Sequence, residues 1–416
     1  MNNGLLKEKT MNLAEPWHML YWLMFAQLMV AFVGRSIGPL GALIGSDLSL
    51  SKAQIGLLPA AMFLGQATAS IPVGFVADRI GSRILLLYLS FCLGISFMLL
   101  TFLSLFGAML FLIFIGGLGY GGMHPVSNRG IIYWFSQKQR GTAMGLKQMG
   151  VTGGSALAAL LLLPLSVSIG WRTALFIACL VLLASGVFSY MYYRDSPEGI
   201  VNSTARKKSF PFYRSLVNML QNKPLFLVSI SAMGLSGSQV CLNTYIVLFA
   251  HEKLGFSLFL SGLLFAISEV SGSIGRIAWG AISDRFFNGQ RIGILMIITL
   301  ISVTSSVIIA ELPSGTLYWV MVPLIAVFGF ALSGFNGIWM NLASELVPRE
   351  LSGISSGFSI TLGSLGNVFI PPLFGLMVDV NGSFTFGWLM LAGVLAIVLV
   401  ILSLLSHLLK RTASKL

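Results

Sequence analysis

Five side chains combine charge or strong hydrogen-bonding capacity with surroundings where such groups are costly: Arg35, Lys147, Gln148, Glu269 and Arg276. Each interrupts a run of apolar residues. A guanidinium offers a planar fork of donors that matches a carboxylate or phosphate. A lone carboxylate among apolar neighbours is the group type that can carry a proton, because burial favours its neutral form. The chemistry implied is therefore recognition of a small anion and coupling to a cation, with no bond made or broken. The sequence contains no Walker-type phosphate loop and no metal-spaced His/Cys cluster, and only 4 His in all. No catalytic residue, cofactor or metal is expected.

Spacing refines these roles. Arg35 lies in Phe32-Val-Gly34-Arg35-Ser-Ile-Gly38-Pro39, where Gly and Pro loosen a helix and make room for a ligand. Its alternative is a structural bond to a neighbouring carbonyl. Glu269 and Arg276 are seven residues apart, so on a helix they share a face about 10 Å apart along the axis. Arg276 then binds substrate, pairs with Glu269 or joins a gate. Lys147 and Gln148 point about 100° apart and cannot both face one cavity squarely; Lys147 alternatively snorkels to the surface. Tyr120, His124, Asn243 and Asn336, with Gln239, Tyr245, Trp339 and Asn367, complete a polar set that reads either as a hydrogen-bonding site or as glue between helices.

The elements that must hold these groups follow from composition. The chain has 416 residues, 56% hydrophobic and 9% charged, against roughly a quarter charged in soluble domains. Apolar stretches of membrane-spanning length recur throughout, and twelve spans are expected, centred near Phe32, Leu64, Ile95, Ile115, Ala156, Val181, Ala232, Phe265, Ser302, Phe328, Leu365 and Leu395. The net charge of +12 does not signal nucleic acid, because 18 of the 25 Lys and Arg fall in the lead, the tail and alternate loops. The positive-inside rule places those segments, and both termini, in the cytoplasm. Cys92, Cys179 and Cys241 all fall within apolar spans, so no disulfide is expected.

A basic linker over residues 194–223 divides the chain into a six-helix half, 1–193, and a second one, 224–416. The halves echo each other. Gly74-Phe-Val-Ala-Asp78-Arg79-Ile-Gly81-Ser-Arg83 returns 206 residues later as Gly280-Ala-Ile-Ser-Asp284-Arg285. Arg140-Gly141-Thr-Ala-Met-Gly145 returns at an offset of 212 as Ser352-Gly353-Ile-Ser-Ser-Gly357.

This doubled loop signature resembles that of the major facilitator superfamily. The resemblance implies an all-α membrane protein of twelve transmembrane helices in two six-helix bundles, with a mid-membrane site reached by alternating access. It also implies a gate: Gly74, Asp78, Arg79, Arg83, Asp284 and Arg285 would latch the cytoplasmic side through carboxylates set against helix N-termini and Arg. The run Pro125 to Gly145 is similar to the fourth-to-fifth-helix signature of the anion:cation symporters, and Arg35 falls at their first-helix Arg. Two positions depart from that pattern: Gly34 stands where an Asp is usual, and Tyr120 where sugar-acid carriers have Glu. Coupling would then pass through Glu269 or His124, with H⁺ or Na⁺ as the ion. The expected protein is a monomeric secondary transporter of a small organic anion in the cell membrane, the inner membrane if bacterial. An exporter of drugs or metabolites is the alternative, disfavoured because Gly150-Val-Thr-Gly-Gly154 lacks the Gly-Pro pair of drug antiporters; a ligand sensor is a third.

Overall fold

The computed structural model describes residues 15–136, 139–196, 219–287, 290–347 and 352–413; most of the linker, Lys138 and the side chain of Asp78 lie outside the described residues. Among these residues twelve helices are long and apolar enough to cross a membrane: α1 (Glu15–Asp47), α2 (Lys52–Ala77), α3 (Ser82–Leu100), α4 (Phe106–Trp134), α5 (Arg140–Ile169), α6 (Trp171–Tyr192), α7 (Lys223–Glu252), α8 (Leu258–Phe286), α9 (Arg291–Ala310), α10 (Tyr318–Glu345), α11 (Gly357–Asn381) and α12 (Phe384–Leu409). Every expected span centre falls inside one of them. Helix starts are written locally. Ser51 and Gln54 form a capping box at the start of α2, while Asn222 and Ser257 accept backbone N–H groups at the starts of α7 and α8. Gly81 and Gly170 turn the chain between helices with φ of +88° and +84°, a region open to glycine.

The first six helices pack mainly among themselves through α2 against α4, α3 against α4 and α6, and α1 against α5 and α6. The last six do so through α7 against α11, α9 against α12, and α8 against α10. The two bundles meet mainly along α2 with α11, α5 with α8, and α1 with α7, with a smaller contact of α2 with α7.

Three spans are irregular near mid-depth. α1 breaks at Arg35 and Ser36, where Ser36 N–H reaches only back to the Val33 carbonyl and Pro39 has no N–H to offer the Arg35 carbonyl. α10 breaks over Ser333–Phe335. α5 carries a π-helical turn at Ala158–Leu162, just before Pro164. Irregular backbone at membrane depth is tolerated where it faces protein or a cavity rather than lipid, so these breaks mark the interior.

One end of the molecule is closed. Both carboxylate oxygens of Asp379, at the end of α11, accept the backbone N–H groups of Lys52 and Ala53 that open α2, each at 2.8 Å. Lys52 Nζ pairs with Glu252 of α7 at 2.7 Å. Tyr245 Oη lies 2.8 Å from both the Lys52 and Pro371 carbonyls. A Cβ on Gly375 would run into the Lys52 carbonyl, so α2 and α11 touch backbone to backbone. At the opposite end the bundles leave space at four positions: a Cβ added at Gly141, Gly145, Gly280 or Gly357 would meet nothing within 4 Å.

Candidate functional site

The break in α1 turns Arg35 toward both bundles. Its Nε donates to Tyr120 Oη of α4 at 3.1 Å, and its Nη1 pairs with Glu269 Oε2 of α8 at 3.2 Å. The second oxygen of Glu269 accepts Asn243 Nδ2 of α7 at 2.8 Å. Four helices, two from each half, thus converge on one guanidinium–carboxylate pair in which Glu269 is fully buried. Of the three alternatives for Arg276, the pairing with Glu269 is not the one formed. Spacing along α8 puts those two on one face, but Arg276 turns to α10, where its Nε donates to the Ser333 carbonyl at 3.0 Å. The break in α10 exposes that carbonyl. The carboxylate for Arg35 comes from the other bundle, which no scan within the first half could reveal.

Gly34 and Tyr120 fit one another sterically. A Cβ on residue 34 would sit 2.6 Å from the Tyr120 ring, far inside van der Waals contact. The tyrosine fills the space a larger residue 34 would need and supplies a hydroxyl in exchange.

On α4, Tyr120, His124 and Asn128 recur every four residues and so line one face over about 12 Å. Tyr120 holds Arg35 at one end. Asn128 Oδ1 accepts Lys147 Nζ of α5 at 2.8 Å at the other. His124 stands between, edge-on to Tyr120 with centroids 5.9 Å apart, and within electrostatic reach of Arg35, Lys147 and Arg276. Lys147 is buried and Gln148 exposed, as their angular separation requires. Lys147 does not snorkel. Gln148 lies one turn from Thr152, whose hydroxyl accepts that of Ser273 on α8 at 2.6 Å; it therefore lies on the side of α5 turned toward the other bundle. Asn336 Nδ2 donates to Gln239 Oε1 at 3.3 Å. Among the described residues, Gln239 Nε2 and Asn243 Oδ1 are buried without a hydrogen-bond partner. Such groups are normally satisfied by water or ligand.

Toward the closed end, Gly34, Arg35, Gly38, Pro59, Phe63, Asn243 and Phe265 line a cavity of about 30 Å³, room for little more than a water. Any larger ligand must lie on the open side of Arg35.

Among the described residues, the expected gating side chains form no hydrogen bond or ion pair between the bundles. Arg83 Nε donates to the Tyr190 carbonyl at 2.7 Å within the first half, and Asp195, at the start of the linker, accepts the Arg83 backbone N–H at 3.1 Å. Asp284 pairs with Arg291 at 2.7 Å within the second. Arg79 and Arg285 are exposed, and a Cβ added at Gly74 would meet only the Pro125 side chain, at 3.7 Å. Sequence reasoning missed Asn128, Thr152, Ser273 and Asp379. The first three look like ordinary small polar residues of a span, although Asn128 is readable from its four-residue register with Tyr120 and His124.

Twelve spanning helices in two bundles, meeting at a buried charge pair and open at one end, define a multi-pass membrane transporter and not an enzyme. The Major Facilitator Superfamily profile matches residues 23–371, and the chain belongs to that family. It is 24% identical over 383 residues to the probable sulfoacetate transporter SauU of Cupriavidus necator, covering 88% of each chain. It is also 24% identical to the hexuronate transporter of Bacillus subtilis over 90% of each. The fold matches the crystal structure of a bacterial homolog of the human lysosomal transporter Spinster at a TM-score of 0.78 and 17% identity, over 95% of this chain and 98% of that one.

Proposed function

We propose that the protein carries a small organic anion across the membrane by alternating access, coupled to a cation. The observation that carries this reading is the Arg35–Glu269 pair, which joins the bundles at the broken midpoint of α1. An anion reaching Arg35 competes with Glu269 for the same guanidinium. Protonation of Glu269 releases Arg35, so anion and proton are taken up together. Sodium in place of the proton would require a carboxylate or carbonyl cluster near Glu269, and Asn243, Ser273 and Thr152 offer neutral oxygens there. The acidic ligands in the names of the relatives, sulfoacetate and hexuronate, agree with an anionic substrate. The unpartnered Gln239 and Asn243 groups favour one that also makes hydrogen bonds.

The basic loops and termini lie on the cytoplasmic side by the positive-inside rule, so the open end faces the cytoplasm. Residues 1–193 and 224–416 are the two rocking units, joined by 194–223. Asp78 and Asp284 act as latch residues only when that end closes. Flux of radiolabelled organic acids into proteoliposomes, with and without an imposed pH gradient, tests the reading. Binding of acids without flux would assign the protein as a sensor; export of hydrophobic cations without acid binding would assign it as a drug carrier.

A further inference from the structure

The proposed anion transport leaves open how many charges the substrate bears, and the charge placement in the cavity answers this. Arg35, Lys147 and Arg276 project from α1, α5 and α8, and Glu269 is the one carboxylate beside them among the described residues. Glu269 neutralises Arg35. Lys147 is 1% exposed and its partner is the neutral Asn128 amide; Arg276 bonds to a neutral carbonyl. Neither makes an ion pair among the described residues. A charged group in such a place without a counter-ion is costly and persists where a ligand supplies the missing charge.

The two ends of the cavity are also separated. Tyr120 and Asn128, which hold Arg35 and Lys147, are eight residues apart on α4, about 12 Å of helix. Glu269 and Arg276 are about 10 Å apart along α8. After the arms of Arg35 and Lys147 reach inward, the gap suits two acid groups on one small molecule better than one acid group touching both.

We infer that the substrate is a compact dianion, with one acid group at Arg35 and Tyr120 and the other at Lys147 and Arg276. His124, between them on α4, faces the connecting atoms. Uptake of a proton on Glu269 when the first acid group displaces it leaves three cations against two anionic groups. A monoanion would leave two of these cations without a partner. This inference rests on the reading of the site as an anion site, and its test separates the two.

Purified protein is titrated with malonate, succinate, glutarate and adipate, and with the monoamide of each, by calorimetry or thermal shift. Each pair matches in size and shape but differs by one charge, with an amide NH2 in place of one carboxylate oxygen. The expected result is that at least one diacid binds about tenfold or more tighter than its monoamide, as loss of a charge-assisted bond requires. In Lys147→Gln that preference falls to within about threefold because diacid binding weakens while the monoamide is unaffected. Arg35→Ala loses both ligands. Diacids and monoamides that bind equally well to the native protein overturn the dianion inference while leaving anion transport standing. Absence of binding by every acid overturns the anion reading itself. Should Lys147→Gln fold poorly, the native pairwise preference alone still decides.

Discussion

Replacing Glu269 by glutamine should tighten anion binding and abolish its coupling to protons. Arg35 Nη1 stands 3.2 Å from Glu269 Oε2, and Glu269 is fully buried. Charge centres about 4 Å apart attract by about 4 kcal/mol at an effective dielectric constant near 20. An arriving anion must break this pair to form its own, so most of that attraction is exchanged rather than gained. Allowing for the cost of desolvating the ligand, loss of the internal competitor should return about 1.4 to 2.8 kcal/mol, or 10- to 100-fold in affinity. Calorimetry in buffers of different ionisation enthalpy reads affinity and proton uptake together. The native protein should take up a proton on binding; Glu269→Gln should take up none. In liposomes the variant should still exchange internal for external substrate but should not concentrate it in response to a pH gradient. If Glu269→Gln binds no tighter, or still takes up a proton, Glu269 does not compete for Arg35 and the coupling scheme fails.

Other outcomes follow from the same geometry. Arg35→Ala should reduce anion affinity by about 100-fold or more while the protein remains folded, and Arg35→Lys should also fail because one ammonium cannot serve Tyr120 and a carboxylate as the fork does; binding titration beside a melting curve checks both. Asp379→Ala removes two charge-assisted bonds from the start of α2 and, because the site is exposed, should shift the balance between facing states by only about 5- to 30-fold, read as thiol labelling of a cysteine placed near Gly56. Gly375→Val should act more strongly in the same direction, since its side chain cannot share space with the Lys52 carbonyl; labelling from the closed end that does not rise would contradict the backbone contact. Asp284→Asn should slow turnover and leave ligand affinity unchanged, and a parallel loss of affinity would remove Asp284 from the gate.

The spans were legible because a helix in lipid must satisfy its own backbone, which forces a long apolar run that hydropathy registers. Arg35, Glu269 and Lys147 were legible for the same reason, since charge in such a run stands out. Their partners were not. Glu269 lies 234 residues from Arg35, and nothing in local spacing encodes which bundle face meets which. Along α8, periodicity places Glu269 and Arg276 on one side, yet the break in α10 supplies a carbonyl that takes Arg276 instead. Asp379 was invisible because its role depends on the backbone of α2, not on any side chain a pattern could match.

The fit between Gly34 and Tyr120 constrains the order in which this cavity can change. Adding a carboxylate at position 34 first would drive its Cβ into the aromatic ring, so Gly34→Asp alone should be non-functional. Tyr120→Glu first clears that space at the cost of one hydroxyl contact to Arg35, and Gly34→Asp then becomes accessible. A lineage could therefore move between this site and one with extra acids only through the Tyr120 step, so the two positions are coupled by shape before they are coupled by charge.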